Sequence, residues 1–380
     1  MAVMGKQGFR RSIRQLVLAT VFSGLSTPLL AEPVELTDVL DRKVEVELPA
    51  ERVMLGFYYP DYMAIGGDDA LDNIVGFSKD VWSVWNPASW ELFSSEVPRL
   101  KELADVGEVE AGTFSLEKVL SLNPDVVVLA EWQYQALGAD VDRIQAAGIP
   151  VLVVDYNAQT LERHVKSTKL LGVIAGDTER ADQIAGEYRD IVENVQSRIE
   201  QSGQDKPRVY VEFGNQGPDG LGFTYGKNMW GAMIAMTGGD NIALPYVGWW
   251  GPMNPEQILS SQPEVIIIAG RETELGKNDE AMVMGIDIPR AEAQRRLEGY
   301  TGRSGWESLP AVQNGRFYGV YQGASRSITD GAMVEYFAQI TYPELFNDLT
   351  PRQTYLNFHE RYLSVVPDGT FMVSLPESEN

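Results

Sequence analysis

One pattern is written twice in this chain, and it limits what the chain can fold into. Residues 116–130 read LEKVLSLNPDVVVLA and residues 255–269 read PEQILSSQPEVIIIA. Each has a short amphipathic stretch, a proline with an acidic neighbour, and then five apolar residues. A strand apolar on both faces belongs in a parallel sheet covered by helices on either side. The flanking segments keep the same order. Arg52, Val53, Met54 and Leu55 lead to Gly66, Gly67 and Asp68, as Arg208, Val209, Tyr210 and Val211 lead to Gly238, Gly239 and Asp240. Residues 147–154 and 314–320 then both read as a helix stop at glycine followed by a strand. The ordered set predicts a duplicated α/β unit, two Rossmann-like lobes with mainly parallel sheets. A length of 380 residues suits two lobes, and 44% hydrophobic residues supply a core to each.

A different period separates the halves. Ala181, Ile184, Tyr188, Ile191, Val195 and Ile199 recur at three- and four-residue steps, which is helical spacing. Asp177 or Thr178 can cap the start, and Ser202 with Gly203 ends it. Some 24 residues at about 1.5 Å each make a rod of about 36 Å, long enough to cross both lobes. The expected layout is a signal peptide at 1–31, an N-terminal lobe at 32–157, a helical connector at 158–204 and a C-terminal lobe at 205–380. Lobes joined by one long α-helix rock slightly and do not close through a wide hinge.

The first thirty residues follow other rules. Lys6, Arg10, Arg11 and Arg14 precede an apolar run over 16–30, and Ala31 offers a small residue at a cut. That is the pattern of a cleavable secretory signal, and the run falls short of the roughly 20 residues that span a bilayer. Phe9 stands where a twin-arginine signal has a polar residue. No cysteine occurs, which excludes disulfides, thiolate-held clusters and a lipid-modified N-terminal cysteine. Residues 1–31 carry four basic and no acidic side chains, so their removal takes the net charge from −23 to −27. Such a field disfavours nucleic acid and anionic lipid as partners. A free, monomeric protein of the periplasm is expected.

The sequence resembles the iron-siderophore and cobalamin periplasmic-binding family, the class III solute-binding proteins of ABC importers. The resemblance runs through Leu36-Thr37-Asp38 with Asp41-Arg42-Lys43-Val44, where Lys43 is a variation, and Asp105-Val106-Gly107 with the first copy of the repeat. It continues through Leu171-Gly172 with Glu179-Arg180-Ala181, and ends in Trp306-Glu307-Ser308-Leu309-Pro310 with Gly315-Arg316-Phe317-Tyr318. It implies capture of a ferric siderophore between the lobes and delivery to a membrane permease dimer, with cobalamin or haem as alternative cargo. It also implies a docking role for Glu117 and Glu256, which hold equivalent places in the repeat. Paired carboxylates suit arginines on a two-fold permease. A carboxylate in a first helical turn is also favoured by the helix dipole alone.

In open parallel sheets, ligands bind beyond the carboxyl ends of the strands. That rule selects Tyr58, Tyr59, Trp82, Trp85, Trp132 and Tyr134 in the first half. In the second it selects the loop 214–225 with Tyr225, then Trp249, Trp250, Arg271 and the segment 322–326 with Arg326. Five of the eight tryptophans fall in these places, and a cleft that grips a bulky, partly apolar chelate accounts for them. Arg271 and Arg326 suit the carbonyl or catecholate oxygens of such a chelate. Iron then travels as part of the ligand and no cofactor is expected, although Tyr58 and Tyr59 offer a direct ferric or haem ligand as a lesser alternative. Asp68, Asp69 and Asp72 read as a solvated turn after Gly66 and Gly67.

A bare zinc or manganese site draws on histidine, and the two histidines, His164 and His359, read as surface or helix-end side chains outside the cleft. The same scarcity removes the usual nucleophilic triads. A secreted carboxylate-dependent hydrolase remains the alternative among enzymes. An adhesive or structural exoprotein leaves the aromatic loops without a purpose.

Overall fold

The computed structural model describes residues 1–2, 32–157 and 160–375. The expected signal peptide and its cleavage point lie outside the described residues. From Glu32 onward the chain packs as one compact unit. Among the described residues no helix is long and apolar enough to cross a membrane.

The unit opens with an antiparallel hairpin of β1 (Glu32–Thr37) and β2 (Lys43–Leu48). Five strands follow: β3 (Val53–Leu55), β4 (Ile74–Phe77), β5 (Ala104–Asp105), β6 (Val126–Ala130) and β7 (Val151–Val154). They form one parallel sheet in the order β5-β4-β3-β6-β7. The second sheet is built on β8 (Arg208–Phe213), β9 (Thr224–Tyr225), β10 (Asp240–Asn241), β11 (Trp250–Gly251) and β12 (Val265–Gly270). Beyond a short antiparallel pair of β13 (Gly285–Ile286) with β15 (Gly369–Thr370), it adds β14 (Phe317–Tyr321) and β16 (Met372–Ser374). Its parallel centre runs β10-β8-β12-β14, which repeats β4-β3-β6-β7 strand for strand. The antiparallel strands β9, β11 and β16 lie at its margins.

The two copies of the sequence repeat fold alike in detail. The helices Leu116–Leu122 and Pro255–Ser261 each span seven residues and end at a left-handed cap, Asn123 at φ 44° and Gln262 at φ 48°. Each is closed by the arginine that precedes or begins the first strand of its lobe. The Arg52 guanidinium donates to the carbonyls of Leu122 and Asn123, and the Arg208 guanidinium to that of Gln262. The strands that follow, β6 and β12, are buried along their whole length. Each buried Val or Ile side chain contributes about 1.5–3 kcal/mol, which makes these central strands the anchor of each sheet.

The long helix Thr178–Ser202 starts at Asp177, whose carboxylate accepts the Arg180 N–H, and stops at Gly203 in the left-handed region. Its first half gives Ala181 and Ile184 to the core of the first lobe. From Ala185 onward it gives Ala185, Tyr188, Val192 and Val195 to the core of the second. A preceding helix, Leu161–Ala175, packs along it, so the connector is a helical hairpin. A second crossing comes at the end of the chain. The helix Pro351–Tyr362 leaves Tyr355 in the second core, while Tyr362 and Val365 enter the first.

Candidate functional site

In each sheet the chain leaves the first strand in one direction and later returns on its other side, which opens a crevice at the carboxyl ends of β3 and β6 and of β8 and β12. Glycine marks both crevices. The Gly56 N–H donates to the Val128 carbonyl at 2.7 Å, and the Gly214 N–H to that of Ala269 at 2.8 Å. A side chain on Gly56 would run into the Gln133 amide at 2.2 Å, so only glycine permits this approach. Phe57, which follows Gly56, and Arg271, which follows β12, line the same cleft.

The inner compartment of that cleft has an aromatic wall from the first lobe. Phe57 stacks on Trp82 at 4.7 Å, the Trp82 indole N–H donates to the Phe57 carbonyl at 2.9 Å, and Trp85 lies one helical turn further on. Pro60 and Asp61 complete this side. The second lobe presents Arg271, Tyr321, Gln322, Ser325 and Arg326 opposite this wall. An outer compartment of about 440 Å³ is lined by Trp132, Trp249, Trp250, Asn228 and the carboxylates Glu110, Glu131 and Asp155. Arg326 lines both compartments, with its guanidinium 5.7 Å above the Trp132 ring.

Arg326 has φ 60°, a backbone conformation that non-glycine residues adopt rarely and that clusters at functional sites. A buried network holds the turn in place. The Gln322 side-chain oxygen accepts the Tyr225 hydroxyl at 2.9 Å and the Trp230 indole N–H at 2.7 Å, and the Gln322 amide donates to the Ser325 hydroxyl. Beyond Arg326 the turn enters the first lobe. The Ile328 side chain joins that core, and its N–H donates to the Asp61 carboxylate at 2.5 Å. Burial raises the Asp61 carboxyl to about 7, against the lowering effect of this hydrogen bond and with a smaller push from Asp330. Arg271 lies over the Phe213 ring at 5.3 Å, and its Nε–H has no partner within the protein. Burial lowers its affinity for a proton, and the neighbouring positive charge of Arg326 adds to that. Neither arginine forms an ion pair among the described residues.

The sequence-selected residues divide by helix phase. Trp82, Trp85, Trp132, Trp249, Trp250, Arg271 and Arg326 line the cleft, and both neighbours of the Trp249–Trp250 pair are more than half exposed. Tyr225 sits buried behind the cleft on Gln322, with burial raising its hydroxyl. Tyr58 and Tyr59 belong to the core of the first lobe. A helix begins at Tyr59, so Phe57, Pro60 and Asp61 share the cleft face while Tyr58, Tyr59 and Tyr62 point inward. Tyr58 takes the Tyr156 N–H, and neither tyrosine lines a compartment. Tyr134 is two residues from Trp132 on one helix and therefore on another face, where Arg42 covers its ring at 4.3 Å. The loop 214–225 is tied back by Arg303, which donates to the carbonyls of Gly217, Pro218 and Gly220 and pairs with Glu212.

Both histidines are buried, contrary to the surface expectation. His164 is fully buried, stacked on Tyr188 with its Nε2 2.9 Å from the Asp330 carboxylate. His359 lines the inner compartment. Its Nδ1 lies 3.1 Å from the Val365 carbonyl, its Nε2 has no partner within the protein, and burial lowers it to about 4. Helical spacing to Tyr355 and Tyr362 is the signal that assigns it an inward face. Glu117 and Glu256 line neither compartment and are exposed in the first turns of the two equivalent helices, capped by Ser115 and Asn254.

Comparison with known proteins agrees with this architecture. A family model described as periplasmic binding protein matches residues 66–322. The uncharacterized ABC transporter substrate-binding lipoprotein YvrC of Bacillus subtilis is 27% identical over 254 residues, 65% of this chain and 71% of that one. The vitamin B12-binding protein of Salmonella paratyphi A is 28% identical over 204 residues, 53% of this chain and 72% of that one. Among solved structures, the TroA-like periplasmic binding protein FepB of Veillonella parvula superposes with a TM-score of 0.83 at 32% identity, covering 90% of this chain and 100% of the other. A periplasmic haem-binding protein of Pseudomonas aeruginosa shares the fold at a TM-score of 0.55 and 18% identity, over 87% and 100% of the two chains. By its family match, its duplicated sheets and its cleft, this chain belongs to the periplasmic binding protein family.

Proposed function

We propose that this protein is the periplasmic solute-binding subunit of an ABC importer, that it captures an anionic ferric siderophore in the cleft, and that it delivers it to a permease dimer. The family is one of binding proteins and not of enzymes. The observation that carries the reading is the pair Arg271 and Arg326, two guanidiniums that face an aromatic wall and form no ion pair among the described residues. Catecholate or hydroxamate oxygens supply the missing acceptors, and Phe57, Trp82 and Trp85 take the apolar flanks of the chelate. The inward Tyr58 and Tyr59 favour iron that arrives already chelated. Against a hydrolase, Asp61 of the inner compartment is occupied by a backbone N–H, and Glu131 and Asp155 of the outer one are salt-bridged to Arg163. The absence of cysteine favours a protein free in the periplasm, unlike the lipoprotein relative.

Haem is the second reading, supported by His359, an imidazole on the cleft wall whose Nε2 is unpartnered. Cobalamin is favoured by the B12-binding relatives. Native mass spectrometry of residues 32–380 against ferric catecholates, ferric hydroxamates, haemin and cyanocobalamin separates the three. One ferric chelate per chain, weakened at least tenfold by Arg271→Ala, is the expected result. Retention of haemin or cyanocobalamin alone overturns the siderophore, and retention of none overturns the binding role.

A further inference from the structure

Resting on the capture of a chelate just proposed, we infer that the ligand is bipartite. Its anionic chelate end fills the inner compartment, and a flat, neutral or cationic nitrogen heteroaromatic arm fills the outer one, between Trp132 and the Trp249–Trp250 pair. The two compartments differ in charge and share a boundary at Arg326. The inner one offers Arg271 and Arg326. The outer one offers the carboxylates Glu110, Glu131 and Asp155, with Arg163 salt-bridged to the last two. An anionic arm meets repulsion there, whereas a cationic or neutral π-system is favoured by indole faces near carboxylates.

The tryptophan platform is fixed before any ligand arrives. Trp250 lies in β11 and pairs with Tyr225 of β9, and its ring meets Phe223 edge-on at 4.9 Å. The Trp249 carbonyl accepts the Gly226 N–H at 2.6 Å. Both indoles nevertheless remain 55% and 53% exposed. A backbone held in strand pairing with side chains left this open presents a surface for a flat group. On the compartment walls, the Trp132 indole N–H and the side-chain oxygen of the buried Asn228 have no partner within the protein. A nitrogen heteroaromatic offers an acceptor to the indole N–H when neutral, or a donor to the Asn228 oxygen when protonated, and a plain hydrocarbon ring offers neither.

The test is isothermal titration with two probes: ferric tris(2,3-dihydroxybenzoate), which is all chelate, and a matched ferric catecholate carrying one quinoline arm. The wild-type protein is expected to bind the arm-bearing probe at least tenfold more tightly. W249A/W250A, which removes two exposed side chains and no core contact, is expected to erase that advantage and leave the bare chelate within twofold. R271A is expected to weaken both probes alike. Equal affinity of the wild type for the two probes, or an advantage that survives W249A/W250A, overturns the bipartite ligand while the capture of a chelate stands. Failure to bind either ferric probe overturns the siderophore instead. Cyanocobalamin against cobinamide, which lacks the benzimidazole arm, then decides the outer compartment by the same criterion.

Discussion

Asp61 combines two properties that are usually kept apart: it is a fully buried carboxyl and it joins the two lobes through the Ile328 N–H. Its ordinary value is near 3.8 and its folded value about 7. The folded state therefore holds the proton more tightly than the unfolded chain does. Stability associated with this group is fully present below pH 3.8 and is lost as the pH rises through 7, by about 2–4 kcal/mol. Asp61→Asn keeps an acceptor for Ile328 and removes the charge. Its melting temperature is expected to exceed that of the wild type at pH 8, with the gap closing by pH 5; a gap that does not depend on pH contradicts the assignment. The identity of Asp61 as a cleft residue was hidden in the sequence by phase. The strand rule selected the segment after Leu55, which lines the cleft through Phe57, Pro60 and Asp61, but its tyrosines were selected for their chemistry. A helix starting near Pro60 places 57, 60 and 61 on one face, and that periodicity was the available signal. Trp82 and Trp85, already one turn apart, needed no such correction.

The duplicated elements were the most legible part of the chain. Two seven-residue helices leading into fully apolar strands leave a strong imprint, because both faces of each strand are buried. The two-residue strands β9, β10 and β11 left none, since their pairing depends on neighbours far away in sequence. The repeat also exposes a shared strain. Asn123 and Gln262 adopt the left-handed conformation at the helix ends, which asparagine tolerates better than glutamine. Gln262→Gly is expected to raise stability by about 0.5–1 kcal/mol in urea denaturation, and Asn123→Gly by less. At the other end of the same helices stand Glu117 and Glu256. Reversing both charges is expected to abolish uptake in cells while leaving the affinity of the purified protein within twofold. Undiminished uptake removes them from permease docking. Their equivalence within the two copies is visible in sequence and in backbone, whereas a docking role is implied only by resemblance.

At the scale of the whole molecule, the long helix expected from the spacing of Ala181 to Ile199 is present from Asp177 to Gly203, with a second helix, Leu161–Ala175, packed along it. The return of the chain's end to the first lobe was not legible, because Tyr355 and Tyr362 carry the same helical spacing whichever core receives them. Two crossings, together with Ile328 inserted in the first core, restrict the lobes to small relative motion. Small-angle scattering of residues 32–380 is expected to show a change in radius of gyration below about 1 Å on ligand binding, in contrast to hinge closure of freely jointed domains. The helix Thr178–Ser202 also has a thermodynamic consequence. One uninterrupted hydrogen-bonded rod supplies Ala181 and Ile184 to one core and Val192 and Val195 to the other, so neither half can melt without baring apolar surface of its neighbour. Calorimetry should record a single endotherm with equal van't Hoff and calorimetric enthalpies, the behaviour of one folding unit assembled from two copies of an ancestral half.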